Sequence, residues 1–123
     1  MKFVCLVYGP ETMFGTMSEA EKVQLDQDSL AYDDELKASG HLIVARALQS
    51  VRQASTVRVR DEVMEVVDGP FAETKEQLLG FIFIEASDKA EAIAISAKVP
   101  LAKRGSVEVR PAHMWKPDET AGG

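Results

Sequence analysis

The side chains that could do chemistry in this 123-residue sequence are few: Asp68, two arginines able to face it (Arg46 and Arg110), His41, His113 and a lone cysteine, Cys5. Asp68 stands before Gly69-Pro70-Phe71, at the end of an apolar stretch. An aspartate there has two readings. It accepts backbone N–H groups within its own turn, or it lines a cleft beside Arg46 or Arg110 and positions a polar group of a ligand. His41, His113 and Cys5 share no ligand spacing, so no metal site is expected. No glycine-rich phosphate loop and no serine elbow occur, so no cofactor is expected either. Cys5 lies inside an apolar run and reads as a buried small hydrophobe with a raised pKa. His41 directly follows Gly40, where an imidazole serves a helix end by charge or by hydrogen bonding.

The elements that must position these groups turn on one stretch, Asp68-Gly69-Pro70-Phe71-Ala72-Glu73-Thr74-Lys75-Glu76-Gln77. Proline fixes its own φ and keeps the preceding residue out of the α region, so Gly69-Pro70 makes a tight corner. Thr74 with Gln77 three residues on has the form of a capping box, which predicts a short helix. Behind it, Leu79-Gly80-Phe81-Ile82-Phe83-Ile84 does not alternate and predicts a central strand. Phe3-Val4-Cys5-Leu6-Val7-Tyr8 predicts another of the same kind.

Between these, a loop leads to Ser18-Glu19-Ala20-Glu21, a capping box that opens a long helix stopped at Gly40. Leu25, Ser29, Tyr32 and Leu36 share its sheet-facing side; Val23 and Leu30 lie nearly opposite, as a subunit contact or the wall of a cleft. Residues 42–48 predict a second strand, interrupted by Arg46, which needs an acidic partner or an opening to water. Thr56-Val57-Arg58-Val59-Arg60 and residues 63–67 predict a half-exposed hairpin around Asp61-Glu62, a turn without the glycine that tight hairpins favour. Asp88-Lys89-Ala90-Glu91 opens a second helix, with Ala90, Ile93, Ala94 and Ala97 toward the sheet and Pro100 beyond its end. Ser106-Val107-Glu108-Val109-Arg110 is the last strand, stopped by Pro111, where Arg110 can pair with the insert.

Composition bounds the class. With 46% hydrophobic and 28% charged residues, residues 1–115 make one globular domain and 116–123 a flexible C-terminal tail. The net charge is −6, and residues 18–35 alone hold seven acids against one base, so the remainder is neutral. That imbalance is a solvated helix face or a docking surface for a basic partner, and its sign argues against nucleic acid. The first apolar run is too short for a signal peptide and no segment suits a membrane span, so a cytoplasmic protein is expected.

The order β-α-β, hairpin insert, β-α-β predicts an α+β fold of ferredoxin-like type. Its antiparallel sheet has the two unalternating strands in the middle and both helices on one face. The other face of those strands is apolar and uncovered, which predicts a homodimer through the sheet faces.

Residues 68–77, Gly80-Phe81 and Ser106-Val107-Glu108-Val109-Arg110-Pro111 together resemble the YCII-related family, in the branch named for its Asp-Gly-Pro-Phe (DGPF) motif. The resemblance runs from the first strand through Pro111. It implies a ferredoxin-like subunit paired into a dimeric α+β barrel, in a family that includes small enzymes acting on aromatic compounds. It also implies a link with extracytoplasmic-function sigma factors. The family's proposed catalytic pair, a histidine on the first helix and an aspartate just before the proline after the second, falls on Ser29 and Val99. A serine without a base and a valine cannot carry that proton transfer. The expectation is a small-molecule binder with weak or absent catalysis, Asp68 being the one catalytic candidate, with ligand-binding candidates Asp68, Arg46, Ser29 and Arg110. The alternative is a non-enzymatic regulatory or adaptor module tied to transcription.

Overall fold

The structure, a computed structural model, describes residues 1–115; the tail expected at 116–123 lies outside the described residues. Its first strand, β1 (Lys2–Pro10), is followed by a single helical turn, α1 (Met13–Thr16), where the sequence predicts only loop. Met13 and Met17 are buried there, which is why the loop coils. Then come α2 (Glu19–Ala38), β2 (Leu42–Ala47), a hairpin of β3 (Ser55–Arg60) and β4 (Val63–Asp68), β5 (Glu76–Glu85), α3 (Lys89–Ala97), a 3₁₀ turn at Pro100–Lys103, and β6 (Ser106–Pro111).

The main sheet runs β2-β5-β1-β6 and is antiparallel throughout. This is the ferredoxin-like order, with β1 and β5 central. The core lies between the sheet and the helices: Phe3, Cys5, Val7, Ile82 and Ile84 from the central strands meet Tyr32 and Leu36 of α2 and Ala92 and Ile95 of α3. The central strands are not buried equally on both sides. Val4, Leu6 and Tyr8 are register partners of Phe83, Phe81 and Leu78, and this opposite face is only half-buried.

Local sequence explains the helix ends. Ser18 Oγ accepts from the Glu21 N–H at 3.1 Å and Glu21 Oε1 accepts from the Ser18 N–H at 3.0 Å, a complete capping box. At the other end Gly40 N–H donates to Lys37 and His41 N–H to Leu36, the paired bonds of a Schellman stop. α3 keeps half of its expected box. Asp88 accepts from Glu91 N–H, but the Glu91 carboxylate turns to Ser87 N–H.

Two readings are corrected. Residues 74–77 form no helix: Gln77 is a buried residue of β5, and its amide donates to Ala72 O, Thr74 O and Thr74 Oγ1. The Thr74–Gln77 contact that imitates a cap instead ties the approach loop to the strand. On α3 the buried side is Ala92, Ile95 and Ser96, while Ile93 is exposed. A short helix this apolar carries two stripes of matching spacing. The one that wins places Ser96 Oγ 3.2 Å from Cys5 Sγ.

The hairpin turn holds Asp61 and Glu62 at φ of 51° and 65°. For side chains that are not glycine this costs about 1–2 kcal/mol per residue. Apart from the half-buried Thr56, the hairpin is exposed on both faces, not on one side as its alternation suggests.

Candidate functional site

A cavity of about 430 Å³ opens between α2, the helix-side face of the sheet and the turn at Pro100, within the usual range for small-ligand sites. Its floor is Val7 of β1 with Ala45, Gly80 and Ile82 of β2 and β5. Gly80 is there for closeness: a Cβ at that position would lie 2.7 Å from the Arg46 carbonyl oxygen, so any other residue would push β2 off β5. Leu30, Leu79, Val99 and Leu101 add apolar wall.

The polar groups at this cavity are Asp26, Ser29, Tyr32, Asp33 and Arg46. Tyr32 is spoken for, since its hydroxyl donates to Ile95 O at 2.7 Å and ties α2 to α3. Burial, with Glu35 and Cys5 nearby, pushes its pKa up to about 12, so it stays a neutral donor. Asp33 has no hydrogen bond or ion pair among the described residues. Burial first, and the charge of Asp34 second, raise its pKa above the ordinary aspartate value. Arg46 pairs with no carboxylate among the described residues; one guanidinium nitrogen donates to the Ala45 carbonyl at 2.7 Å. Together these make a mostly apolar chamber with the carboxylates of Asp26 and Asp33 and the Ser29 hydroxyl at its polar side.

The sequence-derived candidates divide. Ser29 and Val99 line this cavity, so the two positions of the family's catalytic pair face one space. Arg46 borders it, but its register with Phe81 puts its exposed side chain on the opposite face of the sheet, a correction to its reading as a ligand contact. Asp68 and Arg110 are elsewhere. Asp68 ends β4 on the exposed hairpin, and its carboxylate makes no hydrogen bond among the described residues. The corner beside it is held by backbone: Gly69, at φ 107°, donates to Ala54 O, and Thr56 Oγ1 donates to Gly69 O. The expected aspartate turn is therefore corrected to a glycine–threonine one. Arg110 pairs in register with Val4, which places it on the uncovered sheet face.

The remaining candidates have structural partners. His41 Nδ1 lies 2.8 Å from Glu85 O, a carbonyl that can only accept, so Nδ1 carries the proton. His113 packs edge-on against Trp115. Burial raises the Cys5 thiol, an effect that the Ser96 hydrogen bond only partly offsets. Among the described residues no three His, Cys, Asp or Glu side chains converge to hold a metal ion. No helix among them is long and apolar enough to cross a membrane.

Comparison with known proteins agrees with this architecture. The model of the YCII-related domain matches residues 1–116. An uncharacterised protein of Rhizobium meliloti, R00369, is 35% identical over 121 residues, covering 97% of this chain and 98% of its own. Among solved structures, the 5-chloro-2-hydroxyhydroquinone dehydrochlorinase TftG of Burkholderia phenoliruptrix, bound to 2,5-dihydroxybenzoquinone, superposes with a TM-score of 0.53. It covers 92% of this chain and 94% of TftG at 17% identity, a likeness of fold.

Proposed function

This chain belongs to the YCII-related domain family, and from that premise we propose that it is a cytoplasmic homodimer binding a small, mostly apolar organic ligand, with catalysis weak or absent. The observation that carries this reading is the cavity under α2, where Asp33 and Ser29 stand unpartnered above an apolar floor. A ligand with a hydroxyl or amine donor would satisfy the carboxylate, and its carbon frame would fill the rest. The ring compound bound by TftG is of suitable size and makes a rational first probe. Reduced catalysis follows from residue chemistry: neither Ser29 nor Val99 can hold a proton in the family's manner, which leaves the carboxylates of Asp26 and Asp33 at the cavity.

The dimer is supported by the uncovered sheet face. Val4, Leu6, Tyr8, Phe81 and Phe83 form its centre, and Glu108, Arg110 and Ser106 lie toward one edge, the pattern of an apolar patch with a polar rim.

The test is thermal denaturation of the purified protein with 2,5-dihydroxybenzoquinone and a panel of hydroxylated rings. At least one is expected to raise Tm, with the shift abolished in Ser29→Phe, which fills the cavity. A panel without effect, or an equal shift in Ser29→Phe, overturns the reading.

A second reading, a regulatory adaptor that docks a basic partner, is favoured by the acidic face of α2. Among the described residues, of its acids only Glu19 and Glu21 are in ion pairs, with Lys22 and Arg104. It would be excluded by partner affinity that is indifferent to salt and to neutralising Asp33, Asp34 and Glu35.

A further inference from the structure

Val57 pairs with Val66 and Val59 with Met64 across the β3–β4 hairpin, so these four side chains share one face. They are 58%, 55%, 59% and 67% exposed, in that order. The other face is mixed: Arg58 is opposite Glu65, Thr56 opposite Val67 and Arg60 opposite Val63, the two valines exposed as well. There the Arg58 guanidinium lies 5.4 Å from the Phe71 ring. One face of the ribbon is thus wholly apolar while the other carries its charges. Among the described residues β3 and β4 pack closely only on each other, and a two-stranded ribbon is marginal alone.

We propose that the apolar face of this hairpin docks on a second copy of the chain, within the same dimer that pairs the sheet faces, and the proposal rests on that pairing. Area is the first reason for choosing a second copy. The bare sheet face is already half-buried by its own strands, whereas a standard interface takes about 800 Å² from each partner. The hairpin adds four apolar side chains, each more than half exposed, in a patch of the kind that marks contact sites. The two surfaces together offer a larger apolar contact than the sheet face alone.

Charge is the second reason. The four hairpin side chains carry none, and the chain's acidic excess sits on α2, so the surface that fits them is apolar. The chain has such a surface in its bare sheet face and the margins of that face. Placement agrees, because the hairpin springs from β2, the edge strand, and so extends beyond its own sheet.

The test replaces Val57, Val59, Met64 and Val66 together by threonine, which keeps strand propensity while removing apolar surface. Met64→Lys serves as a milder variant, and Arg60→Thr with Val63→Thr as a control on the other face. Sedimentation velocity is expected to show the dimer dissociation constant rising about a hundredfold in the first and about tenfold in Met64→Lys. The control is expected to change it by less than about threefold, with circular dichroism unchanged. A dimer of wild-type strength in the apolar-face variants overturns the arm and leaves the paired sheets standing. Equal weakening by the control also overturns it. A wild-type chain that is monomeric at micromolar concentration overturns both readings.

Discussion

Asp33 is the acid of α2 that the fold draws partly inward; its fellow acids on that helix are exposed. Its pKa is raised, so the charged form is worse off in the folded chain than in the unfolded one. The resulting penalty is full at neutral pH and vanishes as pH falls below the ordinary value of 3.8. Asp33→Asn is therefore expected to stabilise the protein slightly at pH 7, a gain reduced by solvent screening. The gain should disappear near pH 3, as denaturant titrations at the two pH values would show. At the corner after β4 the expectation reverses the obvious one. Asp68→Asn should change stability by less than about half a kcal/mol, whereas Gly69→Ala, at positive φ, should cost about 1–2 kcal/mol. Equal effects would show that the carboxylate holds the turn after all. Ser29 and Val99 are legible in the sequence because helix spacing and flanking motifs locate them, whereas Arg46 interrupts an apolar strand without saying which face of the sheet it takes, and its register with Phe81 puts it on the uncovered one. Asp33 is not legible, being one acid among seven; its position one turn beyond Ser29, at i+4, was the available signal. Arg110 was misplaced because alternation tells which residues share a face and not which face carries the cavity.

Elements were read from the chain wherever two local signals agreed. Capping pairs and a stop at Gly40 bounded α2, and unalternating runs marked β1 and β5 as central. Where one signal stood alone it failed, as with Thr74 and Gln77, whose spacing is shared by a cap and by a side chain folding back on its own loop. The burial side of α3 was ambiguous for a related reason: small apolar residues repeat on both stripes, and only the tertiary partner Cys5 separates them. The hairpin turn offers a direct check on cost at this scale. Replacing Asp61-Glu62 by Asn-Gly relieves two residues at positive φ and is expected to stabilise the chain by about 1 kcal/mol. Thermal denaturation of that variant should show a higher midpoint; a lower one would mean that those side chains hold the turn through contacts of their own.

The molecule as a whole has three surfaces of distinct character: an acidic helix, a bare apolar sheet and an apolar ribbon. Paired sheets require that Leu6→Lys or Phe83→Lys yield monomers that keep their circular dichroism, read by light scattering. Persistent dimers in both would place the interface elsewhere. One further consequence comes from β5, where Leu79 is an extra residue between the partners of Val7 and Tyr8. Beyond it, even-numbered side chains such as Ile82 and Ile84 turn inward; before it, odd-numbered Gln77 does. The tolerance of this protein to length change is therefore sharply local. Added residues at the hairpin tip leave the inside of the fold inside. Loss of Leu79 itself would close the bulge and leave Gln77 and Ile82 facing inward, whereas a single residue lost between Gly80 and Glu85, where the ladder is regular, turns one part of the strand inside out.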